Sequence, residues 1–339
     1  VEQFVFFANS PPLRLTKTGM ASGGEEGGNN LKEGAETDFA RYLVDIAEHW
    51  RRELDLPHIT LSPVNEPQWR WGGDGRGQEG CHYSPGEAAG MLRAAAAEIA
   101  ARKAPLHLEG PEAARWGHET LQYFDAVLDD PVLRTGLHRL AIHSYFSGPK
   151  DKKATVAHLA KRDGHPPIAM TEWCEMRHGR NVTMDSALTM AREMHQDLTI
   201  GNAVSWQAWI AVSRYDYKDG LIYVDPKTRE ITPTKRLWVM GQFSRFVREG
   251  YTRIEAEPDG ADLLVTAFAS PAKDEIVLVA VNPGSDEQQI KLRWNTPGHK
   301  PTLKDVHVTS STKDLAPLEH AGGPMRLEPE SVSTIRLRW

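Results

Sequence analysis

Two glutamates stand where short apolar stretches of this 339-residue sequence end. The first, Glu66, follows the stretch Ile59–Pro63, and the second, Glu172, closes the run IAMTE. Pro67 cannot donate a hydrogen bond to a sheet ladder, so it helps to end the strand that precedes Glu66. Carboxylates at the carboxyl ends of alternating strands meet at one mouth of a (β/α) barrel, and hydrolysis of a glycosidic bond needs such a pair. We therefore expect Glu66 and Glu172 to be catalytic.

The neighbours of the two glutamates refine these roles. Asn65 is placed to hydrogen-bond a sugar hydroxyl beside the scissile bond. Glu175 competes with Glu172, but only Glu172 ends the apolar run directly. We expect Glu172 to be the nucleophile, Glu66 to be the acid and base, and Glu175 to be a charge at the rim. Because the chain has 46 acidic residues, a solvated surface charge is the alternative interpretation of each glutamate.

His143 and Tyr145 lie two residues apart in the run IHSYF, which places both on one face of a strand. They fit a satisfied core histidine and a packed tyrosine. They fit equally well two substrate-binding residues at a barrel mouth, with the tyrosine hydroxyl donating to the nucleophile. The pattern leaves both interpretations open.

Ten tryptophans are many for a chain of this length. Most should pack in cores, and some should form stacking platforms for sugars. Trp69 opens the glycine-rich, aromatic stretch Trp69–Tyr83, which is typical of a loop that lines a site. Trp206 and Trp209 are three residues apart near the end of a predicted strand, so they face opposite sides unless a bulge intervenes. Trp209 is the better stacking candidate of these two, and all three are candidates for substrate contact.

Predicted strands and helices alternate over the first 249 residues, which favours parallel strands with helices outside. Ser84 fits a helix N-cap with Pro85 at the first helical position. The predicted strands are Val1–Ser10, Ile59–Pro63, Leu106–Gly110, Leu137–Phe146, Pro167–Glu172 and Ala203–Ala211. The predicted helices are Glu36–Leu54, Pro85–Lys103, His118–Leu128, Ala154–Arg162, Met184–Leu198 and Thr234–Arg248.

The pattern changes after Gly250, where short strands follow one another without a helical period. The sequence therefore predicts two domains, a barrel over residues 1–249 and an antiparallel β-sandwich over residues 250–339. The expected sandwich strands are Leu263–Ala269, Glu275–Val281, Gln288–Arg293, Lys304–Thr309 and Val332–Trp339.

Composition argues against several classes of function. A net charge of −6 leaves no basic surface for nucleic acid, and no apolar run approaches the ~20 residues of a membrane span. Histidines and acids are scattered without metal-ligand spacing, and no phosphate-binding glycine motif follows a strand. We expect a monomer that binds oligo- or polysaccharide and needs no metal or other cofactor.

The two cysteines, Cys81 and Cys174, are too few for a disulfide scaffold. Each follows one of the glutamates, so a disulfide between them is conceivable, although two separate thiols are slightly favoured. The start of the chain lacks the features of a signal peptide, which is also what a mature exported protein would show. We expect a secreted or periplasmic protein.

The chain resembles glycoside hydrolase family 30 along essentially its whole length. The resemblance is carried by several motifs in order: ANSPP, TKTG, SPVNEP, QEG, HSYF, MTEW and the β-rich tail. It implies a (β/α)8 barrel with a β-sandwich at its side and hydrolysis with retention. It places the acid/base on Glu66, the nucleophile on Glu172 and the adjacent amide on Asn65. It also places the family's strand-six pair on His143 and Tyr145, and its strand-eight tryptophan on Trp209.

Two departures from the family pattern stand out. Relatives usually carry a sugar-stacking tryptophan two residues after SPP, where this chain has Arg14. Stacking there is either lost or replaced by hydrogen bonding to a hydroxyl or carboxylate. The resemblance also makes Val1 the start of the third barrel strand, so the chain looks truncated at its N-terminus and six of eight strand–helix units are visible. The stretches QEG, EWC and YDYKDGLIYVD are most similar to the endo-β-1,6-galactanase branch.

Two hypotheses follow. The first is a retaining hydrolase of galactan-like polysaccharide, with xylan, β-glucan or glucosylceramide as alternative substrates. The second is a carbohydrate-binding or inactive truncated chain without turnover, because six strands would leave an open sheet. In that open sheet the first strand, VEQFVFF, would be an aggregation-prone edge, and we expect low stability and poor solubility of the isolated chain.

Overall fold

The computed structural model describes residues 3–57, 59–72, 78–259, 262–295, 300–319 and 324–339. Val1 and Glu2 of the predicted first strand, and residues 73–77 of the predicted aromatic loop, lie outside this part of the chain. It contains the helices α1 (Glu36–Glu53), α2 (Pro85–Arg102), α3 (His118–Leu128), α4 (Pro131–Gly136), α5 (Pro149–Leu159), α6 (Met184–Thr199) and α7 (Lys235–Ser244). None of these helices is long and apolar enough to cross a membrane.

The strands fall into a first group of six and a second group in the C-terminal half. The first group is β1 (Phe4–Phe7), β2 (Ile59–Ser62), β3 (Leu106–Ala113), β4 (Arg139–His143), β5 (Ile168–Glu172) and β6 (Ser205–Trp206). The second is β7 (Val212–Ser213), β8 (Ile222–Val224), β9 (Ile231–Pro233), β10 (Thr252–Ile254), β11 (Leu264–Ala269), β12 (Glu275–Asn282), β13 (Gln288–Ile290), β14 (Thr302–Thr309), β15 (Ala316–Pro317), β16 (Met325–Leu327) and β17 (Ser331–Arg338).

Strands β1 to β6 form one parallel sheet in chain order. Phe4 pairs with Ile59, and Ile59 pairs in turn with Leu106, so the first residues of β1, β2 and β3 are in register. In the described part of the chain, β1 pairs only with β2, and β6 only with β5. The expected open six-stranded sheet is therefore present, with β1 and β6 as its edges.

The two faces of this sheet differ in polarity, as the period of two along a strand requires. The inner face is polar: the Arg139 guanidinium lies 2.8 Å from Glu109 Oε2 and also reaches Thr60 and Gln3. The outer face is apolar and packs in one core with the helices of this half of the chain. Its strand residues include Phe4, Phe6, Ile59, Leu61, Leu106, Leu108, Leu140, Ile142 and Ile168.

Helix α2 begins as its sequence predicts. The Ser84 hydroxyl accepts a hydrogen bond from the Glu87 N–H, and the Glu87 carboxylate accepts one from the Ser84 N–H, which together form a capping box. Lys103 ends the helix in the left-handed conformation. The alanine-rich face of α2 lies in the core with Leu92 and Met91, which fixes the loop before it relative to β2 and β3.

The C-terminal strands build an antiparallel sheet in the order β10-β11-β12-β17-β14-β15. Helix α7 packs on this sheet: the Gln242 amide donates to the Thr309 hydroxyl, and the Thr334 hydroxyl donates to the Gln242 side chain. A two-stranded ribbon, β13–β16, contributes Ile290 and Met325 to the core that includes Leu337. The predicted antiparallel β-rich region is thus present, whereas a sandwich of two full sheets is not seen in the residues described.

Contacts divide the chain into two compact units, one of residues 1–173 with 200–207 and one of residues 174–199 with 208–339. The boundary between two domains near residue 249 stays a prediction. The predicted strand Ala203–Ala211 is wrong in extent, because only Ser205–Trp206 pairs with β5. Beyond it, β7, β8 and β9 form a three-stranded sheet that the sequence analysis did not predict.

Candidate active site

Two β-bulges shape the carboxyl ends of the central strands. Between β3 and β4 the pairing passes from Pro111 to Ala113 and leaves Glu112 as the extra residue. Between β4 and β5 it passes from Met170 to Glu172 and leaves Thr171 as the extra residue. A bulge re-aims side chains, and here it places Glu172 opposite His143, on the inner face of the sheet.

Glu66 lies just beyond β2 and is 7% exposed. Its backbone has φ of +42°, a left-handed conformation that non-glycine residues adopt at a cost of about 1–3 kcal/mol. The Glu66 N–H donates to the Glu112 carbonyl at 2.9 Å, and the Trp71 indole N–H donates to the Glu66 carbonyl at 3.3 Å. A Cβ at Gly80 would lie 2.2 Å from the Trp71 ring, so only glycine allows this tryptophan to support Glu66.

His143 ends β4 and is 1% exposed. Its Nδ1 lies 3.0 Å from Glu66 Oε1 and 3.8 Å from Glu172 Oε1, and its Nε2 lies 3.3 Å from Glu112 Oε2. Three carboxylates therefore surround one imidazole ring. Both ring nitrogens face acceptors, so the arrangement favours the imidazolium with an N–H on each side.

Glu172 ends β5, and Tyr145 supplies its hydrogen-bond donor. The Tyr145 hydroxyl donates to Glu172 Oε1 at 2.9 Å, which is the contact that the sequence predicts as the functional alternative. Strand alternation does not bring Tyr145 there, because β4 ends at His143 and Tyr145 follows in the loop. One carboxylate oxygen each of Glu66 and Glu172 and a ring nitrogen of His143 all lie within 4.8 Å of one another.

Burial and charge set the ionisation of this cluster. Burial raises the pKa of Glu172, and the charges of Glu66 and Glu112 add to the effect, whereas His143 and the Tyr145 hydroxyl oppose it. Burial by itself would lower the pKa of His143, but Glu172, Glu112 and Glu66 together raise it well above its usual value. The three carboxylates around His143 therefore favour its protonated ring.

The same three residues, Glu66, His143 and Glu172, could offer one ligand atom each to a metal ion. A histidine binds metal through the lone pair of a neutral ring. His143 does not fit this role well, because its surroundings favour the protonated ring and its two nitrogens face Glu66 and Glu112. The geometry fits a hydrogen-bonded acid cluster better than a metal centre.

Asn65 lies beside Glu66, and of its two amide atoms only Nδ2 makes a hydrogen bond within the described residues. Its Nδ2 donates to Asn9 Oδ1 at 3.0 Å, which orients the side chain. Its Oδ1 is buried and has no hydrogen-bond partner among the residues described. A buried acceptor without a partner calls for an explanation, and a substrate hydroxyl would supply the missing donor.

The tryptophans predicted to contact substrate, and Arg14, do not all lie in the cluster around His143. Trp69 is half-buried in the loop after Glu66, with the Arg115 guanidinium 5.5 Å from its ring centroid. Trp206 in β6 packs 6.0 Å from the Trp173 ring. Arg14 is exposed and lies over the Tyr42 ring of α1, so the structure shows it stacked on a helix.

Trp209 lies beyond the end of β6, in the compact unit that contains residues 208–339. Strand alternation does not relate Trp209 to Trp206, because β6 ends at Trp206 and no regular strand connects the two residues. The substrate-binding roles of Trp69, Trp206, Trp209 and Arg14 stay predictions.

Glu112 is the site residue that sequence analysis missed. It is 2% exposed and contacts Glu66 through its carbonyl, His143 through its carboxylate, and the Thr171 hydroxyl, which donates to Glu112 Oε2. Its position two residues after the predicted strand Leu106–Gly110 is the one signal that could have found it. The sequence does not show the bulge that turns its side chain inward.

Two further expectations are settled by the structure. Glu175 is not a rim charge: it accepts hydrogen bonds from the Ser186 hydroxyl and the Lys218 ammonium, and its side chain is 11% exposed. Cys81 and Cys174 are both buried thiols, so the disulfide between them is not formed. Burial raises the pKa of the Cys81 thiol, which disfavours the reactive thiolate.

A parallel sheet that ends in facing carboxylates and is flanked by helices is the arrangement of barrel hydrolases. The profile of O-glycosyl hydrolase family 30 matches residues 1–130 and 134–223 of this sequence. The chain therefore belongs to glycoside hydrolase family 30, as its motifs indicate.

Curated relatives are distant. An endo-beta-1,6-galactanase from Hypocrea rufa is 24% identical over 286 residues, which cover 83% of this chain and 55% of the relative. A glucuronoxylanase from Bacillus subtilis (strain 168) is 24% identical over 285 residues, which cover 80% of this chain and 58% of the relative. The chain thus spans little more than half the length of these two relatives.

Solved structures share the architecture of this chain. A conserved exported protein from Bacteroides fragilis has a TM-score of 0.86 and 24% identity, and the match covers 99% of this chain and 76% of that one. A family 30 subfamily 8 xylanase from Clostridium acetobutylicum has a TM-score of 0.77 and 21% identity, with 99% and 80% covered. At these identities the likeness concerns architecture alone.

Proposed function

We propose that the chain is a retaining β-glycoside hydrolase that acts by double displacement. Glu172 attacks the anomeric carbon while protonated Glu66 gives its proton to the departing oxygen, so the glycosidic bond breaks and a glycosyl ester with Glu172 forms. Glu66, now ionised, takes a proton from water, and the resulting hydroxide displaces Glu172 from the sugar. Two inversions at one carbon return the original configuration.

The separation of the two carboxylates carries this proposal. Retaining enzymes hold their carboxyl groups ~5 Å apart, whereas inverting enzymes need ~6.5–9.5 Å to admit a water molecule. Oxygens of Glu66 and Glu172 approach within 4.8 Å, which supports direct attack. The hydrogen bond from Tyr145 to Glu172 orients the nucleophile and favours its ionised form.

The substrate class is proposed from the motifs and the relatives together. The stretches that resemble the endo-β-1,6-galactanase branch favour a β-1,6-linked galactan, and one relative at 24% identity carries that description. Xylan is the main alternative, because the other relative at 24% identity is described as a glucuronoxylanase. Asn65 Oδ1, which has no hydrogen-bond partner among the described residues, would accept a hydrogen bond from a hydroxyl of the sugar bound next to Glu66. Action on polysaccharide also supports export, as does the likeness to an exported protein.

Product analysis tests the proposal. The chain would be incubated with β-1,6-galactan, xylan, β-1,6-glucan and an activated aryl β-glycoside, and the first anomer formed would be followed by proton NMR. We expect oligosaccharides from galactan with the β-anomer appearing first, and no turnover by Glu172→Gln. An α-anomer as the first product would contradict retention, and turnover by Glu172→Gln would remove Glu172 from the reaction.

A second candidate function is binding of sugar without turnover. The open sheet favours it, since β1 and β6 are edges in the described part of the chain and an open barrel supports its site less firmly. This candidate predicts saturable binding of galacto-oligosaccharides by calorimetry with no product after prolonged incubation. Hydrolysis of any β-glycoside that depends on Glu172 would exclude it.

A further inference from the structure

Glu112 contacts groups that support both glutamates with a proposed catalytic role. Its carbonyl accepts the Glu66 N–H, so it lies against the backbone of the proposed acid. Its carboxylate lies 3.3 Å from His143 Nε2 and accepts the Thr171 hydroxyl. Thr171 directly precedes Glu172, so a single buried side chain touches the supports of both catalytic candidates.

The backbone around Glu112 is built to hold this position. Glu112 is the extra residue of the β3–β4 bulge and has φ of +56°, which costs about 1–3 kcal/mol for a residue with a Cβ. Its partner Thr171 is the extra residue of the β4–β5 bulge. Two bulges that meet through one hydrogen bond do not arise from regular pairing, and bulges concentrate next to active sites.

The contact between Glu112 and His143 matters because negative charge moves between Glu172 and Glu66 during the proposed reaction. During the first displacement, negative charge leaves Glu172 as its ester forms and develops on Glu66 as its proton departs. His143 Nδ1 faces both groups, at 3.0 Å from Glu66 Oε1 and 3.8 Å from Glu172 Oε1. If the His143 ring is held through Nε2, its Nδ1–H can stay between the Glu66 and Glu172 carboxylates while the charge moves. The Glu112 carboxylate is the group that holds His143 Nε2.

We propose that Glu112 is a positioning residue for the hydrolysis proposed above: it anchors His143 through Nε2 so that Nδ1–H serves Glu66 and Glu172 in turn, and it holds the Thr171 bulge that aims Glu172. This inference rests on the proposed function. Glu112 does not touch the reacting atoms in this scheme. Its effect passes through His143 and Thr171.

The test compares Glu112→Gln with Glu112→Asp and with Glu109→Gln. Glutamine keeps the size and loses the charge, and aspartate keeps the charge on a shorter stem. Glu109 is the matched control, since it lies on the same strand, is 0% exposed and pairs with Arg139. Thermal melts of all variants establish that each is folded before any other measurement.

The first readout is the titration of His143 by 15N NMR, assigned by its loss in a His143→Gln variant. The groups that face His143 are Glu66 from the end of β2, Glu112 from β3 and Glu172 from β5, with Tyr145 bonded to Glu172. Loss of one nearby opposite charge should lower the midpoint by about one to three pH units in Glu112→Gln. We expect little change in Glu109→Gln and an intermediate result in Glu112→Asp.

The second readout is steady-state kinetics on the substrate found by product analysis. We expect kcat of Glu112→Gln to fall by about 10²-fold, with a much smaller change in KM, because misplacement of the reacting groups affects the chemical step. Thr171→Val should lose part of the same rate, and Thr171→Ser should keep it. Glu109→Gln should stay within a few-fold of the unaltered chain.

The two readouts separate this inference from the proposed function. An unaltered chain that hydrolyses none of the glycosides would defeat the proposed function, while the NMR titration would still report on the anchor. A folded Glu112→Gln variant whose His143 titrates as before would overturn the inference. So would a kcat within twofold of the unaltered chain.

Discussion

At the scale of single residues, the roles of Glu66 and Glu172 can be separated by the leaving group. Glu66→Ala should slow hydrolysis of natural polysaccharide by at least about 10²-fold, because its leaving oxygen needs a proton. An aryl glycoside with a good leaving group should lose far less in its first step. The measurement is the burst of aryl alcohol in a stopped-flow experiment, and equal losses on both substrates would remove Glu66 from the acid role.

The hydrogen bond from Tyr145 predicts a shift in the pH profile. In the proposed mechanism Glu172 must be ionised to attack, so activity should fall as the pH falls through the pKa of Glu172, which burial raises. Tyr145 opposes that rise by donating to the carboxylate. Tyr145→Phe should therefore move the acid limb of kcat/KM to higher pH, by about one unit.

The control for this shift is Tyr123→Phe. The Tyr123 hydroxyl donates to the Tyr83 carbonyl at 2.8 Å, so its removal deletes a buried hydrogen bond on α3 that does not involve Glu172. The control should lose stability without moving the acid limb. An acid limb that stays in place in Tyr145→Phe would show that this contact does not tune the nucleophile.

At this scale, the sequence was informative where a residue's neighbours along the chain decide its role. Glu66, Asn65 and Glu172 follow apolar runs, and the structure brings them to one side of one sheet. Glu112 was missed because its placement depends on a bulge and a positive φ, which arise from pairing with β4 and leave no local pattern. Glu175 was misjudged because its partners, Ser186 and Lys218, are distant in sequence.

At the scale of elements, the polar inner face of the sheet should make stability depend on pH. The 2.8 Å pair with Arg139 favours an ionised Glu109, but burial first and then the charge of Glu112 outweigh it, and they raise the pKa of Glu109 to about 7. A carboxyl whose pKa is higher in the folded state binds more protons there. Its contribution to stability is present below pH ~4.5 and is lost as pH rises towards 7.

Glu109→Gln tests this dependence. The free energy of unfolding, measured with urea between pH 4.5 and 7, should decline with pH in the unaltered chain by on the order of 3 kcal/mol from this group. The fall of the unfolding free energy with pH should be less steep in Glu109→Gln. Glu119→Gln, which removes a carboxylate from the surface of α3, should keep the original slope. A slope that Glu109→Gln leaves intact would assign the pH dependence to other groups.

Elements were predictable where local signals agree with tertiary packing. Helix α3 matches its prediction at both ends, and α2 begins at the predicted cap because Ser84 and Glu87 satisfy each other. Strand β6 is far shorter than predicted, since the end of the predicted strand pairs elsewhere. The Ile210 N–H donates to the Asp219 carbonyl, and the Ile222 N–H donates to the Ala211 carbonyl. Apolar composition predicts burial, but it does not say with which partner a segment pairs.

At the scale of the whole molecule, the edge strand β1 should govern solubility. Phe7 is 40% exposed on β1, the first strand in the order of the described six-stranded sheet. Phe7→Lys should reduce concentration-dependent light scattering and change the midpoint of thermal unfolding little, because charge on an edge blocks strand addition. Leu13→Lys, on the 57% exposed Leu13 outside the sheet, is the control. Equal improvement by both variants would point to general surface hydrophobicity instead of the strand edge.

The backbone at Glu66 and Glu112 also bears on how such a chain would evolve. Both residues hold φ values of +42° and +56°, which glycine or asparagine would adopt with less strain. Backbone strain alone therefore disfavours a residue with a Cβ at these two positions, and under the proposed function selection for the reaction would maintain the glutamates. A lineage that gave up hydrolysis would gain by replacing them early, while the apolar outer face of the sheet stayed constrained by packing. Glycine at these two positions in an otherwise intact relative would mark a sugar-binding descendant that no longer cleaves.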